Sequence, residues 1–406
     1  MRRFLHGHAA HADWRTALAR ATAQIEAQAH ESDSGTTPTL GWVYVTDHYA
    51  NAAPALLAEL QGRWPGVSWT GSCGVGVSAS GVEAFDQPAL SLLLGELPGD
   101  AFRLYSGAAP LGRWAAATAQ VHADPATPDL GELVHDLSAR TSTGYLFGGL
   151  AASRGAALHV ADEVLHGGLS GVAYADSVAL VSRVTQGCQP VGPLRTVTEA
   201  EGNLVLTLDG EPALACLLRD LSIEHADPRT AITRLRQTLV GLSDADDALA
   251  DGAASRTRRG AFGTETRVRH LIGLDSGRRA VAIADVVEPG MRLAFCGRDV
   301  EAARRDLMRI CAEIREETEP ESLPVPAATA AASPATGDPA SSGIAGAIYV
   351  SCAGRGGPHF GAPSAELAVV RRALGDVPLA GFFAAGEIAR HHVYGYTGVL
   401  TVFRKT

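Results

Sequence analysis

GWVYVTDHYANAAPALLAELQGRWPGVSWTGSCGVGVSASG, residues 41–81, carries the pattern that decides the fold. Gly41 to Thr46 is a continuous apolar run of β-branched and aromatic residues, as a strand buried on both faces requires. From about Asn51 to Arg63 the period becomes helical, with Leu56, Leu57 and Leu60 on one face. Val67 to Gly71 reads as strand again, and so does Leu90 to Leu97. The same order returns near the C-terminus. There AIYVS (Ala347 to Ser351) is a strand, and Ser364 caps a helix carrying Leu367, Val370 and Leu374. Leu379 to Phe383 and GVLTVF (Gly398 to Phe403) complete that copy. A third, weaker copy runs from a helix at Leu130 to Ala139 through YLFGGLAAS to GLSGVAYAD.

Outward from these copies, residues 13 to 30 form a helix with Trp14, Leu18, Ala21 and Ile25 on one side, followed by a polar linker from Glu31 to Pro38. In the central part of the chain, Ser177 to Thr185 is a strand and Thr196 to Leu208 a hairpin turning at Glu201-Gly202-Asn203. Helices near Pro212 to Leu221 and Thr230 to Gly241 come next. Strands follow at Thr266 to Leu274, Ala280 to Val287 and Arg292 to Gly297. A helix from about Val300 to Glu316 places Ala303, Leu307, Ile310 and Ile314 on one stripe. Residues 318 to 342, rich in Pro, Ala, Ser and Thr, read as a flexible insertion.

Composition narrows the chemistry. With 406 residues, 46% hydrophobic, the chain has enough apolar matter for one large or two ordinary domains. Lys405 is the one lysine among 34 basic residues, which removes Schiff-base chemistry and the phosphate-loop lysine. A formal net charge of -10 is opposite to what a nucleic-acid backbone attracts. The six cysteines show no CxxC or zinc spacing and read as reduced thiols, and no metal site is expected. Neither a signal-peptide core nor an apolar run of membrane-spanning length is present, so a cytoplasmic protein without membrane insertion is expected.

Chemistry concentrates in glycine-rich stretches at strand ends: GSCGVG with Ser72 and Cys73, FGGLAAS with Gly148 and Gly149, SCAGRGG with Cys352, Arg355 and Gly356, and AAGEI with Gly386 and Glu387. Each alone reads most simply as a tight turn, but repeated units would bring several such ends to one rim. Gly71, Gly74 and Gly76 lead into extended residues and not a helix, which argues against dinucleotide binding. Arg355 suits a ligand carboxylate and Glu387 a ligand ammonium, together fitting a zwitterion such as an amino acid. Against this stands a plain Arg–Glu pairing within the protein. A thiol enzyme would use Cys352 with His359 or His391, or Cys73 with His48, although no acid orienting the imidazole can be assigned. No catalytic motif is found, and haem is a cofactor for which spacing offers no test without CxxCH.

TQGCQPVGPLRTVTEAEGNLVLTLDGEPAL (Thr185 to Leu214), YLFGGLAAS, RHLIGLD (Arg269 to Asp275), GRDVEAARRDL (Gly297 to Leu307) and FFAAGEIARH followed by TGVLTVF together resemble the FIST family. The resemblance runs from about Gly41 to Phe403. It implies a free-standing, non-enzymatic bacterial sensor of small ligands, amino acids being the proposed class. Output would pass to a partner such as a histidine kinase or cyclase acting in trans. A haem-binding nitric oxide sensor of the same family is the alternative, and a thiol-dependent enzyme using Cys352 the second alternative. The family's first GE pair is replaced here by Gly76-Val77, whereas Gly386-Glu387 retains it.

The fold expected is α+β: two related halves of strand-helix-strand-strand units, with mixed or antiparallel sheets packed together and helices outside. An N-terminal helix and linker occupies residues 1–38, a FIST N-like domain 39–221 and a FIST C-like domain 222–406.

Overall fold

The computed structural model describes residues 3–31, 37–224, 226–244, 266–319 and 343–405. The insertion expected at 318–342 falls almost wholly outside the described residues. The chain is α+β, with mixed and antiparallel sheets, and divides into two compact units. The first comprises Met1–Thr185, Asp306–Val393 and Thr397–Thr406, and the second Gln186–Arg305 with Tyr394–Tyr396. The boundary expected between residues 221 and 222 lies inside the second unit.

In the first unit the strand-helix-strand-strand pattern is used in both halves of the sequence and occurs three times. The first copy has β2 (Leu40–Thr46), the helix Ala53–Arg63, β3 (Ser68–Gly74), the hairpin β4 (Gly76–Ala79) and β5 (Val82–Phe85), and β6 (Ala89–Gly95). The second has β8 (Ala116–Ala123), the helix Leu130–Ala139, β9 (Thr141–Leu150), the hairpin β10 (His159–Ala161) and β11 (Val164–Leu165), and β12 (Leu169–Tyr174). The third has β22 (Ile344–Cys352), the helix Ala365–Leu374, β23 (Leu379–Ala384), the hairpin β24 (Gly386–Arg390) and β25 (His392–Tyr394), and β26 (Thr397–Arg404). In every copy the opening strand pairs parallel with the strand after the helix and antiparallel with the closing strand. Each hairpin leaves its own sheet and joins a neighbour: β4 pairs with β23, β24 with β9, and β10 with β3. Three sheets thus exchange hairpins in a closed cycle. Each becomes six-stranded by adding an outer strand, β1 (Leu5–Ala10), β7 (Phe102–Tyr105) or β13 (Leu180–Gln186).

Three glycines fix the equivalence of the copies. Gly71 stands opposite Val43, Gly148 opposite Val121 and Gly381 opposite Tyr349 across the parallel pairs. A Cβ there would approach the facing carbonyl oxygen to 1.8, 1.9 and 1.8 Å respectively, so only glycine fits. Counting from them, Trp42, Gln120 and Ile348 occupy one position, and Tyr44, His122 and Val350 the next inward position. The inward side chains of the first two copies form a polar network set among buried apolar and aromatic residues, Ile348 and Val350 of the third copy included. Trp42 Nε1 donates to Gln120 Oε1 at 2.8 Å, and Gln120 Nε2 donates to Tyr44 Oη at 2.7 Å. Tyr44 Oη lies 3.3 Å from His122 Nε2, and its ring stacks on Phe382 with centroids 5.2 Å apart. Burial, with His159 adding, pushes the His122 pKa down to about 3, so the imidazole is neutral.

On the outer faces the logic is hydrophobic. Leu56, Leu57 and Leu60 of the helix Ala53–Arg63 and Leu18 and Ile25 of Trp14–Glu31 pack with Val43 and Val45, each such leucine contributing roughly 1.5–3 kcal/mol by burial. Trp14–Glu31 also protects the open edge of its sheet. The Gln24 side chain bonds both the backbone N–H and C=O of His8, and Gln28 does the same for His6.

The second unit is an antiparallel barrel. Its strands are β14 (Cys188–Pro190), β15 (Arg195–Glu201), β16 (Leu204–Leu208), β17 (Glu211–Pro212), β18 (Leu239–Ser243), β19 (Arg267–Asp275), β20 (Ala280–Ile283) and β21 (Arg292–Arg298). The order β21-β15-β16-β20-β19-β18 closes because β18 also pairs with β21. Val197, Val205, Val240, Ile283 and Phe295 share its core with Cys216 and Leu217 of the helix Ala213–Asp220. The helix expected from Thr230 to Gly241 is instead Pro228–Gln237. It stops because Thr238 takes an extended conformation, with ψ of 135°, and leads into β18.

Candidate functional site

The cyclic exchange of hairpins brings the glycine-rich strand ends together. Val75, Ala152 and Ala385 each lie four residues beyond the equivalent glycines 71, 148 and 381. All three line one cavity of about 660 Å³, with Ala353 at the end of β22. The four stretches GSCGVG, FGGLAAS, SCAGRGG and AAGEI therefore each contribute or adjoin a wall of the same cavity. It opens at the C-terminal ends of parallel strands, a usual place for ligand contact in such sheets.

Its polar groups are Asp124, Ser153 and His166. Asp124 follows β8 directly. Its Oδ1 accepts the Ala126 N–H at 2.8 Å and its Oδ2 the Gly167 N–H at 3.1 Å, which fixes the carboxylate, yet it carries no ion pair among the described residues. His166 Nδ1 lies 2.7 Å from the Ala157 carbonyl oxygen, so Nδ1 carries a proton and donates it there. Between Ser153 and Gly155 in the chain, Arg154 donates to Asp47 Oδ2 through Nε at 2.8 Å and to Oδ1 through Nη2 at 2.7 Å. Hydrogen bonding from Arg154 lowers the Asp47 pKa. The carboxylate left without a cation at this cavity is that of Asp124.

The residues singled out from sequence are placed as follows. Ser72 and Cys73 are buried in β3, and the Cys73 sulfur accepts the Leu158 N–H at 3.3 Å. Burial pushes the Cys73 thiol up to about 11, against thiolate formation. Gly148, at φ +141°, and Gly149 are positions where a Cβ would strike a neighbour, and at Gly356 it would strike the Phe85 ring. Arg355 is 2% exposed, and its guanidinium bonds Glu366 Oε1 through Nε at 2.9 Å and Nη2 at 2.6 Å. Tyr349 and Ser351 donate to the same carboxylate at 2.7 and 2.9 Å. Where the other copies place Val43 and Val45, or Val121 and Ala123, against their helices, the third places Tyr349 and Ser351. Arg355 thus lies on the helix side of its sheet, engaged with Glu366. Gly386 and Glu387 are buried in β24, and the Cys352 thiol lies beside Glu387. Sequence reasoning misses Asp124 because the strand that positions it lacks the apolar signature by which a strand is recognised.

Glu387 has a titration consequence. Its Oε2 accepts the N–H and Oγ1–H of Thr397 at 3.0 and 2.7 Å, yet burial outweighs these bonds and the charge of Arg355 and pushes its pKa up to about 8. The unfolded chain releases this proton near the ordinary glutamate value, about 4.3. Between those pH values the native state holds one proton more than the unfolded state. Stability therefore falls with rising pH, by up to about 1.4 kcal/mol per unit from this group. Buried neutral histidines such as His122 give the opposite slope near their own unfolded pKa, so the measurement is a difference. Urea midpoints from pH 5 to 8.5 should show wild type losing stability relative to Glu387→Gln as pH rises. Parallel profiles would refute the protonated Glu387.

Among the described residues no three His, Cys, Asp or Glu side chains gather to hold a metal ion, and no helix is long and apolar enough to cross a membrane. Comparison with known families matches residues 39–211 to the FIST N domain and 213–390 to the FIST C domain. An uncharacterized protein of Mycobacterium tuberculosis is 30% identical over 403 residues, covering 95% of this chain and 96% of its own length. An uncharacterized protein of Mycobacterium bovis is 30% identical over 245 residues, covering 59% of this chain and 54% of its own.

Proposed function

Because the chain belongs to the FIST family, whose domains are associated with sensory signal transduction, we propose that it is a cytoplasmic, non-enzymatic small-ligand sensor. The ligand is a small polar metabolite bearing a protonated amine, such as an amino acid, held in the cavity where the three strand ends meet. The observation that carries this reading is the pairing of that cavity with Asp124, a fixed carboxylate without a cation. The signal passes to a partner such as a histidine kinase or cyclase acting in trans. Ligand at this rim touches strand ends from all three copies and so biases their mutual packing.

Calorimetric titration of the full chain with the twenty amino acids is expected to show at least one binder, weakened tenfold or more by Asp124→Asn. No binding from the set, or an affinity unchanged in Asp124→Asn, would remove this assignment. A Soret band on adding haem, lost in His166→Ala, would replace it with the haem-sensor alternative.

A further inference from the structure

The three copies differ in one connection. Between β3 and β4 stands a single residue, Val75, and between β23 and β24 a single residue, Ala385. Between β9 and β10 stand eight, Ala151 to Leu158 (AASRGAAL). Ser153, Gly155, Ala156 and Ala157 of this loop line the cavity at Asp124 and form one wall of it. The other two copies have nothing in its place.

Both ends of the loop are fixed through the backbone. The Ala151 N–H donates to the Ala123 carbonyl at 2.8 Å, the Ala152 N–H to the Cys73 carbonyl at 3.1 Å, and the Cys73 N–H to the Leu158 carbonyl at 3.1 Å. Ala151 and Leu158 are also buried in the apolar core. The middle cannot be held in this way. Serine, glycine and alanine have no side chain long enough to reach a core, and glycine adds backbone freedom. Among the described residues, every hydrogen bond that reaches residues 153–156 from outside the loop is made by Arg154. Its backbone N–H donates to Asp47 Oδ2 at 2.9 Å, beside the two guanidinium bonds to the same carboxylate, and Nη1 donates to Asp86 Oδ1. The Asp47 side chain is only 5% exposed, which makes this contact firmer than an ordinary surface pair. Asp47 directly follows β2 and Asp86 directly follows β5. The Asp86 N–H in turn donates to the carbonyl of Val75 at 2.9 Å, and Val75 lines the same cavity. One guanidinium therefore ties the loop wall to the Val75 wall.

A wall of methyl groups and backbone has no long side chain to rotate, so its shape is set by where its backbone lies. We propose that Arg154 is a positioning residue of the ligand site: by holding Asp47 and Asp86 it sets the spacing of the loop and Val75 walls, and with it the size of ligand the cavity accepts. The selectivity rests on the reading that the Asp124 cavity binds an amine-bearing metabolite. The positioning of the loop does not.

Hydrogen exchange of the full chain without ligand, followed by mass spectrometry, reads the positioning. In Arg154→Gln, residues 153–157 are expected to exchange tenfold or more faster, with β3 unchanged. Salt screens a partly exposed pair, so added sodium chloride should quicken exchange in the wild-type loop and leave that of the variant alone. Wild-type exchange in the variant would overturn the proposal. Titration with glycine, L-alanine, L-leucine and L-phenylalanine, which share both charges and differ in size, reads the selectivity. Wild type is expected to separate the tightest from the weakest by tenfold or more, and Arg154→Gln to shrink that ratio at least fivefold. Because Arg154→Gln bares the Asp47 carboxylate, Arg154→Gln with Asp47→Asn is measured beside it and should show the same loss of discrimination. Asp124→Asn should instead weaken all four. A wild-type ratio retained in the double variant would overturn the proposal even if its loop exchanged faster. If none of the four binds wild type, the ligand reading fails and the selectivity with it, while exchange still decides whether Arg154 positions the loop.

Discussion

Alanine in place of Gly71, Gly148 or Gly381 is expected to destabilise the first unit by more than about 4 kcal/mol, beyond the range of ordinary substitutions. The reason is geometric. In each case the new methyl would sit within 2 Å of a carbonyl oxygen on the parallel neighbour, at Val43, Val121 or Tyr349. That contact is against backbone and has no side chain to rotate away. Relief requires the two strands to separate, which breaks their ladder and withdraws the hairpin beyond from the next sheet. Because the hairpins are exchanged in a cycle, damage to one parallel pair disturbs two sheets. Gly148 should be the most sensitive, since its φ of +141° adds strain of its own for any L side chain. Gly62 is the control: it lies in the helix Ala53–Arg63 with nothing within 4 Å of an added methyl, and Gly62→Ala should stabilise by roughly 0.5–1 kcal/mol. Urea denaturation followed by circular dichroism measures all four. Midpoints near wild type for the three buried variants would refute the threefold equivalence.

The parts of this architecture legible in the sequence are those whose signal is local. GWVYVT and AIYVS are continuous apolar runs because their strands are buried on both faces, and the helices after them keep a leucine face. The middle copy is harder to see because its opening strand, Ala116–Ala123, carries Gln120 and His122 where the others carry Trp42 and Tyr44, or Ile348 and Val350. A buried polar network removes the hydrophobic signature a strand usually shows. The hairpin β10–β11, of three and two residues, is too short for any period, and LVGL at 239–242 is an apolar run that pattern alone cannot divide between helix and strand. At the site, the glycine-rich ends are visible in the sequence and their convergence follows from repetition. What sequence does not show is which face of the sheet a side chain takes after the strand ends. Arg355 turns toward the helix, where Glu366 in the first turn reads from sequence as an ordinary helix-start acid.

Arg355→Met should therefore cost roughly 3–5 kcal/mol of stability at neutral pH, the expected loss on breaking a buried pair from one side. Both side chains of the pair are 1% exposed. Without the guanidinium, Glu366 would remain among Tyr349 and Ser351 with two hydroxyl donors and no cation, and Glu387 would lose the positive charge that restrains the rise of its pKa. Neutralising the partner should recover much of the loss. Arg355→Met with Glu366→Gln keeps an acceptor for the Tyr349 hydroxyl and removes the uncompensated charge, so the double variant is expected to be at least about 1 kcal/mol more stable than Arg355→Met alone. The comparison also decides what Arg355 is for. A purely structural pair predicts that the double variant, once folded, binds ligand as wild type does at the Asp124 cavity. If Arg355→Met instead kept the wild-type urea midpoint while ligand binding disappeared, the guanidinium would be held for a ligand and not for the fold. The site would then have to be rebuilt around Arg355 and Glu387, with the sheet and helix parting to admit it.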